Sequence, residues 1–173
     1  VILFDDVVRT DYGQFDLIWS EDAVGFDGDV DRFFAGQSNG LVGAADPGGL
    51  YVHLAGRSGG SKVTIEMLDA APNLPDPAWG DIVEVSATVP AGSAPHWSTW
   101  AGESSGSLGL AAGTYRVRVS AQGRDAGQQN EFAEAVVDSY LMQFWPGALQ
   151  ADAIVRLGSD DARYWHQEFG SRR

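Results

Sequence analysis

Apolar and polar residues alternate with a period of two along much of this chain, as they do in strands that bury one face. Phe15, Leu17 and Trp19 alternate with Asp16, Ile18 and Ser20, and Leu50, Val52 and Leu54 alternate with Tyr51, His53 and Ala55. Val63, Ile65 and Met67 face a core while Lys62, Thr64 and Glu66 face water. The pattern returns at Val83, Val85, Ala87 and Val89, and at Tyr115, Val117 and Val119 set against Arg116, Arg118 and Ser120. Tyr140, Met142 and Phe144 form a further set, in which Leu141, Gln143 and Trp145 are also apolar enough to be covered.

Stretches rich in Gly, Pro and Asp separate these runs, at residues 11–13, 46–49, 56–60, 72–77, 90–95 and 123–127. Alternation with one wet face favours antiparallel pairing, because buried parallel strands read as continuous apolar runs. Seven or eight such strands predict an all-β, antiparallel sandwich of jelly-roll-like build. Two helices are expected. One is short, over residues 131–137. The other covers 159–169, where Ser159 can cap, Asp160 and Asp161 suit the first turn and Gly170 stops the helix. Within it Ala162, Trp165, His166 and Phe169 share one face. Residues 1–173 read as one sandwich domain, with 150–173 a helical extension packed on it.

Charge narrows the function. The net charge is −13, with ten Arg and one Lys, Lys62, against 24 acids. Phosphate backbones are neutralised by clustered Lys and Arg, so direct binding to nucleic acid is excluded, and docking on anionic membranes with it. Residues 1–31 hold nine acids against one base, Arg9, and no base lies between Asp16 and Asp31. A solvated, solubilising loop accounts for that run; so does an acidic surface for a basic protein. The residues assigned to such a surface are Asp22, Asp27, Asp29 and Asp31. There is no cysteine, which suits a reducing compartment and rules out disulfides and thiolate metal sites. Val1-Ile2-Leu3-Phe4 runs straight into Asp5-Asp6, too short an apolar segment for an export signal. The chain is therefore expected in the cytoplasm, and its Arg, Gly and Ala bias points to a bacterium.

Candidate chemistry is sparse. Gly36-Gln37-Ser38-Asn39-Gly40 and Gly102-Glu103-Ser104-Ser105-Gly106 spell the nucleophile elbow, but neither lies between a buried strand and a helix, as that turn requires. Asp27-Gly28-Asp29-Val30-Asp31 opens like a calcium loop, yet Arg32 stands where the turn glycine belongs and Ser38 where the bidentate Glu belongs. Calcium in another geometry stays open. His53, His96 and His166 are too far apart in sequence for a zinc motif. His96-Trp97-Ser98-Thr99-Trp100 is the most distinctive aromatic cluster; a tryptophan exposed on a sandwich can stack on a sugar ring. On a strand, though, Trp97 and Trp100 would point to opposite faces. Trp19, Trp145 and Trp165 are expected in the core, and Trp79 in a pinned loop.

Three short stretches carry a family resemblance. Tyr12-Gly13-Gln14-Phe15 opens the first hairpin, Gly113-Thr114-Tyr115 starts the best strand, and Asp138-Ser139-Tyr140-Leu141 starts a late one. Their order resembles competence protein J, a family of small acidic inhibitors of a DNA-entry nuclease. This chain departs from that pattern in Gly/Pro insertions around 70–110 and a tail from about 150. The resemblance implies the sandwich and, more distantly, an inhibitor or immunity-type partner of a basic nuclease. The leading expectation is thus a non-enzymatic acidic binding protein without a cofactor. The alternative is a ligand-binding module for carbohydrate or calcium, using His96, Trp97 or Trp100 and the loop from Asp27 to Asp31.

Overall fold

In the computed structural model, which describes residues 1–57, 59–130 and 135–173, the alternating runs become strands. The elements, in chain order, are β1 (Ile2–Arg9), β2 (Gln14–Ile18), α1 (Val30–Phe34), β3 (Val42–Gly43), β4 (Gly49–His53), β5 (Gly60–Met67), β6 (Asp81–Val89), β7 (His96–Thr99), a 3-10 turn (Trp100–Gly102), β8 (Ser105–Ser107), β9 (Gly113–Gln122), α2 (Arg124–Gln129), β10 (Ser139–Pro146), β11 (Ala153–Arg156) and α3 (Asp160–Glu168). They build a six-stranded sheet, β1-β5-β10-β9-β6-β11, and a five-stranded sheet, β3-β4-β2-β7-β8. The expected mainly-β sandwich with a C-terminal helix is what forms. Pairing is antiparallel except between β5 and β10, which run parallel with Lys62 beside Ser139 and Met67 beside Phe144.

The core follows from the alternation. Val63, Ile65, Val83, Val85, Val117, Met142 and Phe144 of the larger sheet meet Phe15, Leu17, Leu50 and Val52 of the smaller, all buried in one cluster. Hydrophobic burial of this kind contributes roughly 1.5–3 kcal/mol per large side chain. Trp19 joins it. Trp145 is buried on the opposite side of its sheet, where the Arg118 guanidinium lies 5.4 Å from its ring centroid. That outer face, which alternation assigns to solvent, is itself covered. Arg116 and Arg118 both pair with Glu84, at 3.3 and 2.9 Å, and Arg118 also donates to the carbonyls of Pro72 and Asn73.

The last helix forms where its cap predicts. Ser159 Oγ accepts from the amide of Ala162 at 3.0 Å, and Asp125 of α2 accepts from the amides of Asp160 and Asp161. Asp81 accepts from the amides of Gly158 and Ser159, so the helix start is held from two sides. Ser159→Ala should therefore lower stability by about 1 kcal/mol, read as a shift in urea midpoint with unchanged slope. The short helix expected over 131–137 falls largely on residues 131–134, outside the described residues, and 135–137 are not helical. A helix forms instead at α2, inside a stretch that reads as a turn. Among the described residues, no helix is long and apolar enough to cross a membrane.

Candidate binding surface

The outward residues of β2 and β4 floor the site. Phe15, Leu17, Leu50 and Val52 point into the core, so Gln14 and Asp16 on β2, and Tyr51 and His53 on β4, point away from it. Gln14 is paired with His53 and Asp16 with Tyr51, which makes a polar square on the sheet. The segment after β2 folds back across it. Asp16 accepts from the Phe26 amide at 3.0 Å and from Gln14 Nε2 at 2.7 Å, and Gln14 Nε2 also donates to the Phe26 carbonyl. Phe26 is thereby laid flat on Tyr51, ring centroids 4.0 Å apart and 3° from parallel. With Phe33, Phe34 and Phe169 these rings form a second, smaller core outside the sandwich.

Phe26 borders two clefts. The larger, of about 930 Å³, lies between β4, α2 and α3 and is lined by Tyr51, His53, Arg57, Asp125, Tyr164 and Trp165 among others. The smaller, of about 480 Å³, lies between residues 24–27 and 98–102, over Gln14 and Asp16. His53 is packed edge-on by Trp165 at 4.1 Å and stacked by Phe169 at 5.4 Å. Burial pushes its pKa down to about 3, helped by the positive charges of Arg124 and Arg57, so the imidazole is neutral. Burial raises the Asp16 carboxyl above the ordinary range, with the bonds from Gln14 and the Phe26 amide opposing it. The Tyr51 phenol is pushed up by burial and then by the charge of Asp16, and stays protonated.

The four acids assigned to a partner surface are all exposed, on the loop before α1 and in its first turn. Three have local roles. Asp27 pairs with Arg32 at 3.1 Å, Asp29 caps α1 by accepting from the Arg32 amide, and Asp31 pairs with Arg172. Their carboxylates remain open to solvent, and Asp31 is 85% exposed. Among the described residues, no three His, Asp or Glu side chains are grouped to hold a metal ion.

The aromatic cluster is divided. Trp97 turns inward and packs on Phe4 and Phe15, at 5.2 and 6.3 Å, because alternation along β7 puts it on the core side. His96 is half-buried, with Nδ1 near the Ala94 carbonyl. Trp100, beyond the strand end, lines the smaller cleft and touches Tyr12 at 5.4 Å. Trp165, expected in the core, lies half-buried along the larger cleft. Neither elbow-like motif is an elbow. Residues 36–40 follow a helix and precede a strand, the reverse of the required order, and the amides of Ser38 and Asn39 are held by the buried Asp152. The second runs from the 3-10 turn into β8. Both His53 and Asp16 could be placed on the outer face from alternation; nothing in the sequence showed that Phe26 and α3 would fold over them.

No protein-family model and no curated protein matches the chain. Among solved structures it is similar to crocagin biosynthetic gene J, with a TM-score of 0.51 at 13% identity over 83% of this chain and 96% of that one. The two share a fold. It is also similar to ComJ, inhibitor of the DNA degrading activity of NucA, from Bacillus subtilis, with a TM-score of 0.49 at 12% identity over 85% of this chain and 98% of that one. ComJ is the protein whose family the three short motifs resemble. Those motifs do structural work here. Tyr12 takes the turn into β2 at φ 58°, Gly113 starts β9, and Asp138 accepts from Ser61 Oγ at 2.9 Å and from the Tyr140 hydroxyl at 2.7 Å, which fixes the start of β10.

Proposed function

We propose that this chain is a non-enzymatic binding protein that captures a basic protein partner, as an inhibitor or immunity-type protein would. The outer face of the five-stranded sheet is its contact surface. The observation that carries this reading is the placement of the acidic segment. Asp22, Asp27, Asp29 and Asp31 are exposed on the same loop and helix that supply Phe26 to the two clefts. Asp27 and Asp31 are held by Arg32 and Arg172, so the surface is ordered in advance and loses little side-chain entropy on binding. A net charge of −13 steers a positive partner towards it.

Immobilised chain is exposed to lysate of the source organism and washed at low and then high salt, beside the variant Asp22→Asn/Asp27→Asn/Asp29→Asn/Asp31→Asn. Asn at position 29 still caps α1, so the helix survives. The wild-type chain should hold a basic protein that salt releases, and the variant should hold it about tenfold less. If that protein is a nuclease, one equivalent of the wild-type chain should silence it. Equal retention by the two chains, or retention indifferent to salt, would remove the acidic-surface reading.

A further inference from the structure

The two clefts differ in the charge they offer. Arg57 lines the larger one and the buried Arg124 stands behind its floor, where both help depress the proton affinity of His53. The three carboxylates that line that cleft among the described residues are already engaged: Asp125 by the amides of Asp160 and Asp161, Asp160 by Arg163 and Asp161 by Arg124. None of the described residues lining the smaller cleft is basic, and two carboxylates, Asp16 and Asp27, line it with the Trp100 indole. Arg32, which reaches Asp27, also pairs with Asp46 at 2.7 Å, so its charge is answered twice.

Both carboxylates keep acceptor capacity. Asp16 receives one bond on each oxygen, from the Phe26 amide and from Gln14, and Asp27 receives one on each, from the Asp29 amide and from Arg32. Each carboxylate oxygen can take a second donor. The indole wall is anchored through its backbone and by one neighbouring ring. The Trp100 amide donates to Thr10 Oγ1 at 3.0 Å, Tyr12 packs on the ring, and the turn continues through Ala101 at φ 55°. Tyr12 is itself left-handed at φ 58°. Two non-glycine residues in this region are costly, and such cost persists where the surroundings over-determine the backbone.

Resting on the reading of the chain as a binder of a basic protein, we propose that the smaller cleft seats an arginine side chain of that partner. Its guanidinium lies along the Trp100 indole and donates to Asp27, with Asp16 beneath it. Arginine suits the site better than lysine because its flat, weakly hydrated cation both stacks on an indole and forks onto a carboxylate.

The test uses the full chain labelled with 5-fluorotryptophan, with the Trp100 fluorine resonance assigned by Trp100→Phe. N-acetyl-arginine amide should move the Trp100 resonance and leave that of Trp79 in place. N-acetyl-citrulline amide, the same shape without the charge, should bind about tenfold more weakly or not at all. Asp27→Asn, which preserves the shape of the cleft, should weaken the arginine response by a similar factor. An equal response to citrulline, a response to neutral sugars instead, or a still Trp100 resonance overturns the proposal. Trp100→Ala in the lysate capture separates the two readings. If partner retention stays salt-sensitive but is untouched by Trp100→Ala, the cleft assignment fails and the acidic surface stands. If nothing basic is retained by the wild-type chain, the acidic surface itself fails.

Discussion

Asp161→Ala should cost about 3–5 kcal/mol, because it strands a charge that the fold has closed over. Arg124 is 2% exposed. Its Nε donates to Asp161 Oδ2 at 2.8 Å, its Nη1 to the His53 carbonyl at 2.8 Å, and its guanidinium lies 5.7 Å from the Tyr140 ring centroid. Its Nη2 has no hydrogen-bond partner among the described residues. The pair joins α2 to α3 behind the larger cleft, so its loss should also loosen that wall. Arg124→Met/Asp161→Leu removes both charges together and should restore much of the lost stability, since neither ion then has to be kept from water. Urea melts of the wild-type chain, Arg124→Met, Asp161→Leu and the double variant give the coupling directly. A single-variant cost below about 1 kcal/mol would mean that water reaches the pair and that burial there is incomplete.

Acid should unfold the protein earlier than its carboxylates alone would require. Burial, then the charges of Arg124 and Arg57, hold His53 near a pKa of about 3. Burial, then Arg124, hold His166 near about 4, with Asp81 and Asp152 pulling the other way. In the unfolded chain both titrate near 6.5. As pH falls below that value, unfolded molecules take up protons that native ones refuse, so stability drops continuously from about pH 6.5 towards the native values. His53 alone accounts for about 3 kcal/mol by pH 4. Asp16 acts in the opposite sense: its raised native pKa means that protonation there favours the folded state as pH falls. The urea midpoint measured from pH 7.5 to 4 should start to fall near 6.5, and His53→Gln should flatten the upper part of the curve. A flat profile from pH 7 to 5 would show that the imidazoles are hydrated in the native protein.

The strands that alternation predicts, β2, β4, β5, β6, β9 and β10, are those that wall the sandwich core, because burial of one face is what writes a period of two. β1 does not announce itself. Its register slips between Ile2 and Phe4, which breaks the period, and Asp5 and Asp6 sit side by side on an exposed edge. β7, β8 and β11 are too short to show a period. α2 lies in a run of turn residues and owes its place to long-range contacts, with Arg124 anchored on Asp161 and Asp125 on the start of α3. The candidate site was half legible. Alternation turns Asp16, Tyr51 and His53 outward, but their burial comes from Phe26, Trp165 and Phe169, which reach them from elsewhere in the chain. The cap at Ser159 was fully legible, since it depends on four consecutive residues.

The parallel pairing of β5 with β10 sets a timetable for the growing chain. β1 and β5 can zip together as soon as residue 67 has been made, yet the other edge of β5 stays bare until its neighbour arrives. Glu66 meets Gln143 across a separation of 77 residues. At ribosomal speeds of roughly 5–20 residues per second that is a wait of about 4–15 s. Throughout it β5, which carries the fully buried Val63 and Ile65, keeps one hydrogen-bonding edge open. Refolding in dilute solution should likewise wait on distant closures of this kind, the pairing of β2 with β7 among them. The nascent chain should therefore be more open to edge-to-edge association than the finished one.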